Sequence, residues 1–195
     1  MLMDGVHKPH NFSAIVRSCD AVGVLEAHVV APDGAVALHH ATSAGTKKWV
    51  AVKGHASVAE AAAHLRERGF ILLAAHPSDA ALDYRDVDYT VPTAVVLGAE
   101  LHGVSAAALE FSDAHITIPM VGLVRSLNVS VASALVLFEA YRQRAAAGMY
   151  ERSRLSAEDF STRLFEWAYP ALARRRREAG SAYPALGPDG ELLPD

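Results

Sequence analysis

The sequence is poor in cysteine, because Cys19 is the only one among 195 residues. One cysteine excludes an internal disulfide and any metal site built from several cysteines. No apolar run is long enough to span a bilayer, and no basic-then-apolar signal precedes the first turn signal, so we expect a soluble, cytoplasmic chain with no membrane partner. Histidine is plentiful, with ten residues, but no HxxxH or HExxH spacing sets two on one helical face beside a carboxylate. The sequence therefore predicts no metal site.

Basic charge is scarce overall but unevenly placed. The net charge of −4 argues against an indiscriminate nucleic-acid binder. Residues 1–140 hold 9 Lys and Arg against 14 acids, residues 141–180 hold 9 Arg against 5 acids, and residues 181–195 hold three acids and no base. A phosphate-bearing partner can therefore dock on the basic stretch. The alternative is an ordinary solvated helix surface.

Short apolar runs alternate with helical patterns along the chain. The predicted strands are 27–31, 49–53, 70–75, 93–98 and 114–119, with a possible first strand at 1–6. Several of them are continuously apolar, as strands buried on both faces are. The sequence therefore predicts an α/β fold, a mostly parallel sheet with helices on both faces.

Capping residues mark the helices between these strands. Asn11 is predicted to cap a helix closed by Gly23, and Ser57 with Glu60 forms a capping box for a helix closed by Gly69. A third helix follows residues 103–105, and a long fourth one runs from about residue 128 to 147. After residue 150 the composition changes, and a short helix from 156 is interrupted at 170 before a basic one follows.

The first helix raises a question about Arg17. Phe12, Ile15, Val16, Cys19 and Val22 form one apolar stripe, and Arg17 lies roughly opposite. One interpretation is a solvated arginine paired with Asp20. In the other, the start of the helix, with Lys8, His10 and Asn11, binds a phosphate. The residues alone leave both open.

The segment "VVLGAELHGVS" at 95–105 leads from a strand into a turn that carries Glu100. Ligands bind beyond the carboxyl ends of strands in open parallel sheets. The segment matches neither GxGxxG nor a P-loop, which weakens a dinucleotide fold, a nucleotide hydrolase and a generic nucleotide-binding domain. The alternative is a tight turn whose Glu100 faces water.

The segment "IPMVGLVRSLNVSVASALVLFEAYRQR" at 118–144 opens the long helix. We predict that Leu127, Val131, Leu135 and Phe138 form its buried stripe. Small residues at 130 and 132–134 allow another backbone to approach closely. Ser126 and Asn128, at a helix start after a strand, suggest the rim of a pocket.

Together, "NFSAIVRSCDAVG", "VLGAELHGVS" and the 118–144 segment resemble the three motifs of the SPOUT class of RNA 2'-O-methyltransferases. The "HKPHN" start, the "EAYRQRAAAGMY" continuation and the basic C-terminal helix resemble the TrmH type, which methylates guanosine 18 in the D-loop of tRNA. The resemblance covers about residues 1–187.

The resemblance implies an architecture that composition does not suggest. It implies a SPOUT domain over residues 1–149 with a C-terminal trefoil knot at about 97–147, and a basic RNA-binding extension over 150–195. Members of the family are homodimers in which the first-motif arginine completes the partner's site. They usually begin with a short basic helix that this sequence lacks, so we expect either a truncated or mis-set start or tRNA binding through the C-terminal basic helix alone.

The resemblance also assigns residues. S-adenosylmethionine is expected at Ala75, Leu97, Gly98, Ile118, Met120 and Leu127. The catalytic residues implied are Asn11, Arg17, Glu100, Ser126 and Asn128. RNA contacts are expected from Lys8, His10, Arg142, Arg144, Arg174, Arg175, Arg176 and Arg177. The function implied is ribose 2'-O-methylation of tRNA; the alternatives are an rRNA 2'-O-methyltransferase of the same fold and a non-catalytic RNA-binding scaffold.

Overall fold

A parallel sheet organises the first part of the chain in the computed structural model, which describes residues 1–31, 49–124 and 126–193. The strands found there are β1 Leu2–Asp4, β2 Glu26–Val30, β3 Ala51–His55, β4 Ile71–Ala75, β5 Leu82–Asp83, β6 Thr93–Leu97 and β7 Ala114–Thr117. The helices are α1 Pro9–Ala21, α2 Val58–Glu67, α3 Ala106–Glu110, α4 Val129–Ala146, α5 Ala157–Ala168 and α6 Pro170–Glu178. All six predicted strands are confirmed, and the two-residue β5 is too short for a sequence pattern to reveal.

The strands lie in the order β3-β2-β1-β6-β4-β7-β5, and every pairing is parallel. Successive side chains of a strand point to opposite faces of the sheet, so they pack into two different hydrophobic cores. Leu72 joins the core that contains Leu65 of α2, whereas Leu73 joins the core that contains Ile15 of α1 and Val136 of α4. Helices therefore cover both faces of the sheet, as predicted.

Two predicted helix features differ in outcome. The capping box at α2 is confirmed, because the Ser57 hydroxyl accepts the Glu60 N–H at 3.1 Å and the Glu60 carboxylate accepts the Ala56 N–H at 2.9 Å. The predicted cap at Asn11 is wrong, because α1 begins at Pro9 and Lys8 is its N-cap residue. The fixed φ of proline starts the helix before Asn11 is reached and leaves the Asn11 side chain free for another partner.

The predicted buried stripe of α4 is also wrong. Val131, Leu135 and Phe138 are 48%, 38% and 51% exposed, and the buried positions are Ser133, Val136 and Leu137. The segment is apolar on more than one side, so periodicity alone does not identify the face that meets the sheet. α4 therefore presents an apolar face to solvent.

The chain divides into two compact units, Met1–Gly148 and Met149–Asp195. In the second unit, Phe165 of α5 stacks on Tyr183 with ring centroids 4.6 Å apart. The Tyr183 hydroxyl donates to Glu166 at 2.8 Å, and Arg177 of α6 pairs with the same carboxylate at 3.0 Å. None of the described helices in either unit is long and apolar enough to cross a membrane.

Candidate active site

A cavity of about 550 Å³ lies where β4, β6 and β7 end. This is the edge of a parallel sheet where ligands usually bind, and the volume is that of a small-molecule site. All six residues expected to hold the cofactor line it, namely Ala75, Leu97, Gly98, Ile118, Met120 and Leu127. Lys8, Glu100, Ser126 and Asn128 line it too. The fold thus brings one predicted RNA contact and three predicted catalytic residues to the same cavity.

Gly98 shapes one wall of the cavity. Ala99 and Gly103 exchange backbone hydrogen bonds of 2.9 and 2.8 Å, which fold residues 99–103 into a tight turn against the strand end. A Cβ atom on Gly98 would lie 1.9 Å from the backbone carbon of Gly103 and 2.0 Å from the nitrogen of Val104. Only glycine fits at this position.

A chain of hydrogen bonds joins the three motifs beside the cavity. The Asn11 amide donates to Oε1 of Glu100 at 2.5 Å. The Asn128 amide donates to Oδ1 of Asn11 at 3.2 Å. The backbone N–H and the hydroxyl of Ser130 both donate to Oδ1 of Asn128, at 2.8 and 2.7 Å. Residues far apart in sequence are therefore held in one relative geometry.

Glu100 does not simply face water, which excludes the solvated-turn interpretation. Burial raises the pKa of the Glu100 carboxyl. The hydrogen bond from Asn11 and the nearby charge of Lys8 lower this pKa by a larger amount, so the pKa lies below its usual range. The carboxylate is therefore ionised at neutral pH and accepts hydrogen bonds.

Arg17 lies away from this cavity. It is exposed and lines a separate groove of about 760 Å³ with Pro9, His10, Ser13, Ala14, Ser18, Ala21 and Phe138. Among the described residues it forms no salt bridge with Asp20, so the paired-arginine interpretation gains no support. Within one chain the structure thus brings together four of the five predicted catalytic residues and leaves Arg17 on an outer face.

The predicted RNA-contacting arginines have different surroundings. Arg142 pairs with Glu139 at 2.7 Å. Arg144 donates to the backbone carbonyls of Tyr89 and Val91, at 2.6 and 3.1 Å, which holds that segment in place. In the second unit, Arg174 and Arg175 are exposed on α6, whereas Arg176 is half-buried. The geometry is therefore most compatible with phosphate contact at Arg174 and Arg175.

Two supporting residues were missed in the sequence. Ser130 fixes Asn128, as described above. Buried Asp4, at the end of β1, accepts the N–H of Ser105 at 2.9 Å and so anchors the segment that follows the Glu100 turn. An acidic residue that ends an otherwise apolar strand was the available signal, because a buried carboxylate requires a hydrogen-bond donor.

Comparison with known families agrees with this geometry. Residues 1–138 match the model of the SpoU rRNA Methylase family, and residues 142–195 match the model of the SpoU, rRNA methylase, C-terminal family. The chain therefore belongs to the SpoU rRNA methylase family, a class of RNA methyltransferases.

Individual relatives show which members of this family the chain resembles. The chain is 48% identical to the tRNA (guanosine(18)-2'-O)-methyltransferase of Escherichia coli K12, over 99% of this chain and 85% of the relative. The A. aeolicus TrmH/SpoU tRNA modifying enzyme has a similar structure, with a TM-score of 0.80, 42% identity, and coverage of 88% of this chain and 87% of that one. The SpoU methyltransferase AviRb from Streptomyces viridochromogenes, solved in complex with the cofactor AdoMet, has a TM-score of 0.67 and 29% identity, over 74% of this chain and 60% of that one.

Proposed function

We propose that this chain transfers the methyl group of S-adenosylmethionine to the ribose 2'-hydroxyl of guanosine 18 in the D-loop of tRNA. The observation that carries the proposal is the cavity at the ends of β4, β6 and β7, beside which Asn11, Glu100 and Asn128 form one hydrogen-bonded chain. The tRNA (guanosine(18)-2'-O)-methyltransferase of Escherichia coli is the relative that suggests the substrate.

The cavity fits the cofactor in size and chemistry. Its apolar wall includes Ala75, Leu97 and Ile118, and the tight turn after Gly98 exposes backbone groups that can hydrogen-bond a ligand. S-adenosylmethionine supplies an electrophilic methyl group on a sulfonium, so the chemistry requires positioning of the acceptor oxygen and no metal. We expect Leu97, Gly98, Met120 and Leu127 to contact it.

The chain acts as a homodimer in this proposal. The exposed face of α4 with Val131, Leu135 and Phe138 is the apolar surface that a second copy would cover. Phe138 also lines the groove that holds Arg17. Arg17 would then reach the partner's cavity, which accounts for its distance from the cavity of its own chain.

Each polar residue has a proposed task. Arg17 holds the phosphate beside the target ribose, since a guanidinium has a pKa above about 12 and stays charged rather than acting as a base. Asn11 and Asn128 orient the ribose and phosphate, Glu100 fixes Asn11, and Ser126 supports the loop at the cavity rim. Fixing the 2'-hydroxyl in line with the methyl group can lower the barrier by several kcal/mol.

The proposal also covers the RNA contacts, the knot and the cellular location of the enzyme. The RNA contacts in this proposal are Lys8 and His10 at the start of α1, Arg142 and Arg144 on α4, and Arg174–Arg177 on α6, with Arg174 and Arg175 the best placed for phosphates. In this proposal the cavity-lining residues from Leu97 onward belong to a trefoil knot at about residues 97–147, and residues 150–195 serve as the RNA-binding extension. The enzyme works in the cytoplasm, where tRNA is found.

The test is methyl transfer with position mapping. The purified chain, S-adenosylmethionine and an unmodified tRNA transcript should give one 2'-O-methyl group at guanosine 18, located by nuclease digestion and mass spectrometry. A matched transcript with 2'-deoxyguanosine at that position should accept none. Methylation of rRNA fragments instead would favour the rRNA alternative, and RNA binding without any transfer would favour the non-catalytic scaffold.

A further inference from the structure

Three histidines and two glutamates cluster where β2, β3 and α2 meet, and none of them lines the active-site cavity. Glu26 and His28 lie two positions apart on β2. His55 ends β3 and pairs in register with Val30, which places its side chain on the same face of the sheet as His28. Glu60 and His64 belong to α2, which packs on this face. The fold therefore concentrates groups that the sequence leaves scattered.

The geometry of the cluster is that of potential metal ligands. His28 and His55 are only 4% and 3% exposed, and their rings stack with centroids 5.2 Å apart. The His64 ring lies 5.6 Å from that of His28 and 5.5 Å from that of His55. One ligand atom each from Glu26, His28 and His64 all lie within 4.8 Å of one another. A cation placed among these atoms would have two imidazole nitrogens and one carboxylate oxygen as ligands.

The number of N–H groups on His28 and His55 provides a second argument. Three contacts run in series: Glu26 Oε1 to His28 Nε2 at 3.2 Å, His28 Nδ1 to His55 Nε2 at 3.0 Å, and His55 Nδ1 to Glu60 Oε1 at 3.5 Å. Each contact needs one hydrogen, but two neutral imidazoles carry only two N–H groups. The deficit falls on Nδ1 of His55, which is buried and has no hydrogen-bond partner among the described residues.

We infer that Glu26, His28 and His64 bind one divalent transition-metal cation of the Zn²⁺ type. A metal on Nε2 of His28 replaces the proton of the first contact. The N–H of His28 then lies on Nδ1 and donates to His55, and the N–H of His55 donates to Glu60. The hydrogen bond to His55 then orients His28, as outer hydrogen bonds orient metal-binding histidines. Two imidazoles and a carboxylate leave a fourth tetrahedral position for water.

Two cations of the protein now occupy the space near these ligand atoms. Arg68 hydrogen-bonds Glu26 and lies 3.3 Å from Nε2 of His64, and Nζ of Lys53 lies 3.4 Å from the same nitrogen. Arg68 contacts both Glu26 and His64, so a positive charge already lies beside these two potential ligands. The side chains of Arg68 and Lys53 are long and exposed, so a metal can displace them into water. Arg68 therefore competes with the metal, and its removal should tighten binding.

The experiment is Zn²⁺ titration of the full chain without an affinity tag, by calorimetry against a competing chelator at pH 7.5, with Co²⁺ absorption as a second readout. We expect one Zn²⁺ per chain and d–d bands of a tetrahedral or five-coordinate Co²⁺ site. Glu26→Gln and His64→Gln, at partly exposed positions, should each weaken binding by at least about tenfold. Arg68→Ala should tighten it by up to about fivefold, since an exposed ion pair contributes up to about 1 kcal/mol.

His115→Gln is the control, because His115 belongs to a separate close imidazole pair, with His76 at 5.4 Å, and should leave Zn²⁺ binding unchanged. Loss of binding in His115→Gln, or full binding in Glu26→Gln and His64→Gln, would overturn the proposed site. So would the absence of Zn²⁺ binding by the unchanged chain. Binding of S-adenosylmethionine should be the same in all these variants.

Discussion

Asn11 and Glu100 are 89 positions apart in sequence, yet Nδ2 of Asn11 lies 2.5 Å from Oε1 of Glu100. The amide is the donor and the carboxylate the acceptor, so the pair needs no shared proton. Because Asn11 also accepts from Asn128, its two side-chain atoms connect the second motif to the third. The contact is thus sensitive to a change of charge at either end.

Asn11→Asp should therefore make methyl transfer pH-dependent. A second carboxylate raises the pKa of Glu100, so that below the raised pKa one proton bridges the pair and above it the two charges repel. We expect transfer to fall at least about tenfold at pH 8 and to recover partly towards pH 5.5. Single-turnover rates across this range measure it, with Asn11→Ala as the control that should show no recovery.

Gly98→Ala should disrupt the cavity. The new Cβ would overlap the backbone at Gly103 and Val104, which cannot move as a flexible side chain could. We expect a loss of about 3 kcal/mol in the free energy of unfolding and a large loss of S-adenosylmethionine affinity. Gly122→Ala is the matched control, because a Cβ there meets nothing within 4 Å. Equal behaviour of the two variants in urea denaturation and calorimetry would contradict the packing argument.

Arg17→Ala should lower single-turnover methyl transfer about 10²-fold or more, since positioning alone accounts for effects of this size. Cofactor binding should persist, because Arg17 is not among the residues that line the cofactor cavity of its own chain. The proposed dimer should persist too, because the apolar face of α4 with Val131, Leu135 and Phe138 supplies its contact surface. Arg17→Lys should also be impaired, because an ammonium cannot form the planar two-point contact with phosphate. Transfer near the unmodified rate in Arg17→Lys would exclude the phosphate clamp.

Replacing Arg174–Arg177 with serine should weaken tRNA binding and reduce its salt dependence. Arg177 is already paired with Glu166 and Arg176 is half-buried, so Arg174 and Arg175 are the two arginines best placed for phosphates, and the slope of log K against log salt should fall by about 2. Filter binding at several salt concentrations measures the slope. S-adenosylmethionine affinity is the internal control, and an unchanged slope would identify α6 as a merely solvated surface.

Tyr89→Phe should leave the free energy of unfolding unchanged or raise it by up to about 1 kcal/mol. The Tyr89 hydroxyl is buried without a partner among the described residues, and burial raises the pKa of this phenol. Removing it removes an unsatisfied polar group while the ring keeps its packing. Thermal and urea denaturation test the expectation, and a clear loss of stability would mean that the hydroxyl has a partner.

The sequence predicted those features that depend on local patterns. Continuous apolar runs located the strands, and Ser57 with Glu60 located the start of α2. It failed where tertiary structure decides: Pro9 displaced the start of α1, and the apolar residues of α4 gave no clue that Val131 and Phe138 would be exposed. The motif resemblance named residues that the fold places around one cavity, but the cluster around His28 could not be predicted, because strand register and helix packing create it.

Helix α1 carries Asn11 towards its own cavity and Arg17 towards an outer groove, with five residues between them. In an α-helix this separation amounts to about 9 Å along the axis and about 120° around it. The positions of both side chains therefore depend on how α1 is rotated about its own axis. A single inserted residue between them would turn Arg17 by about 100° relative to Asn11, whereas most substitutions in the same stretch preserve that angle. For α1, the length of the segment constrains function as strictly as the identity of its residues.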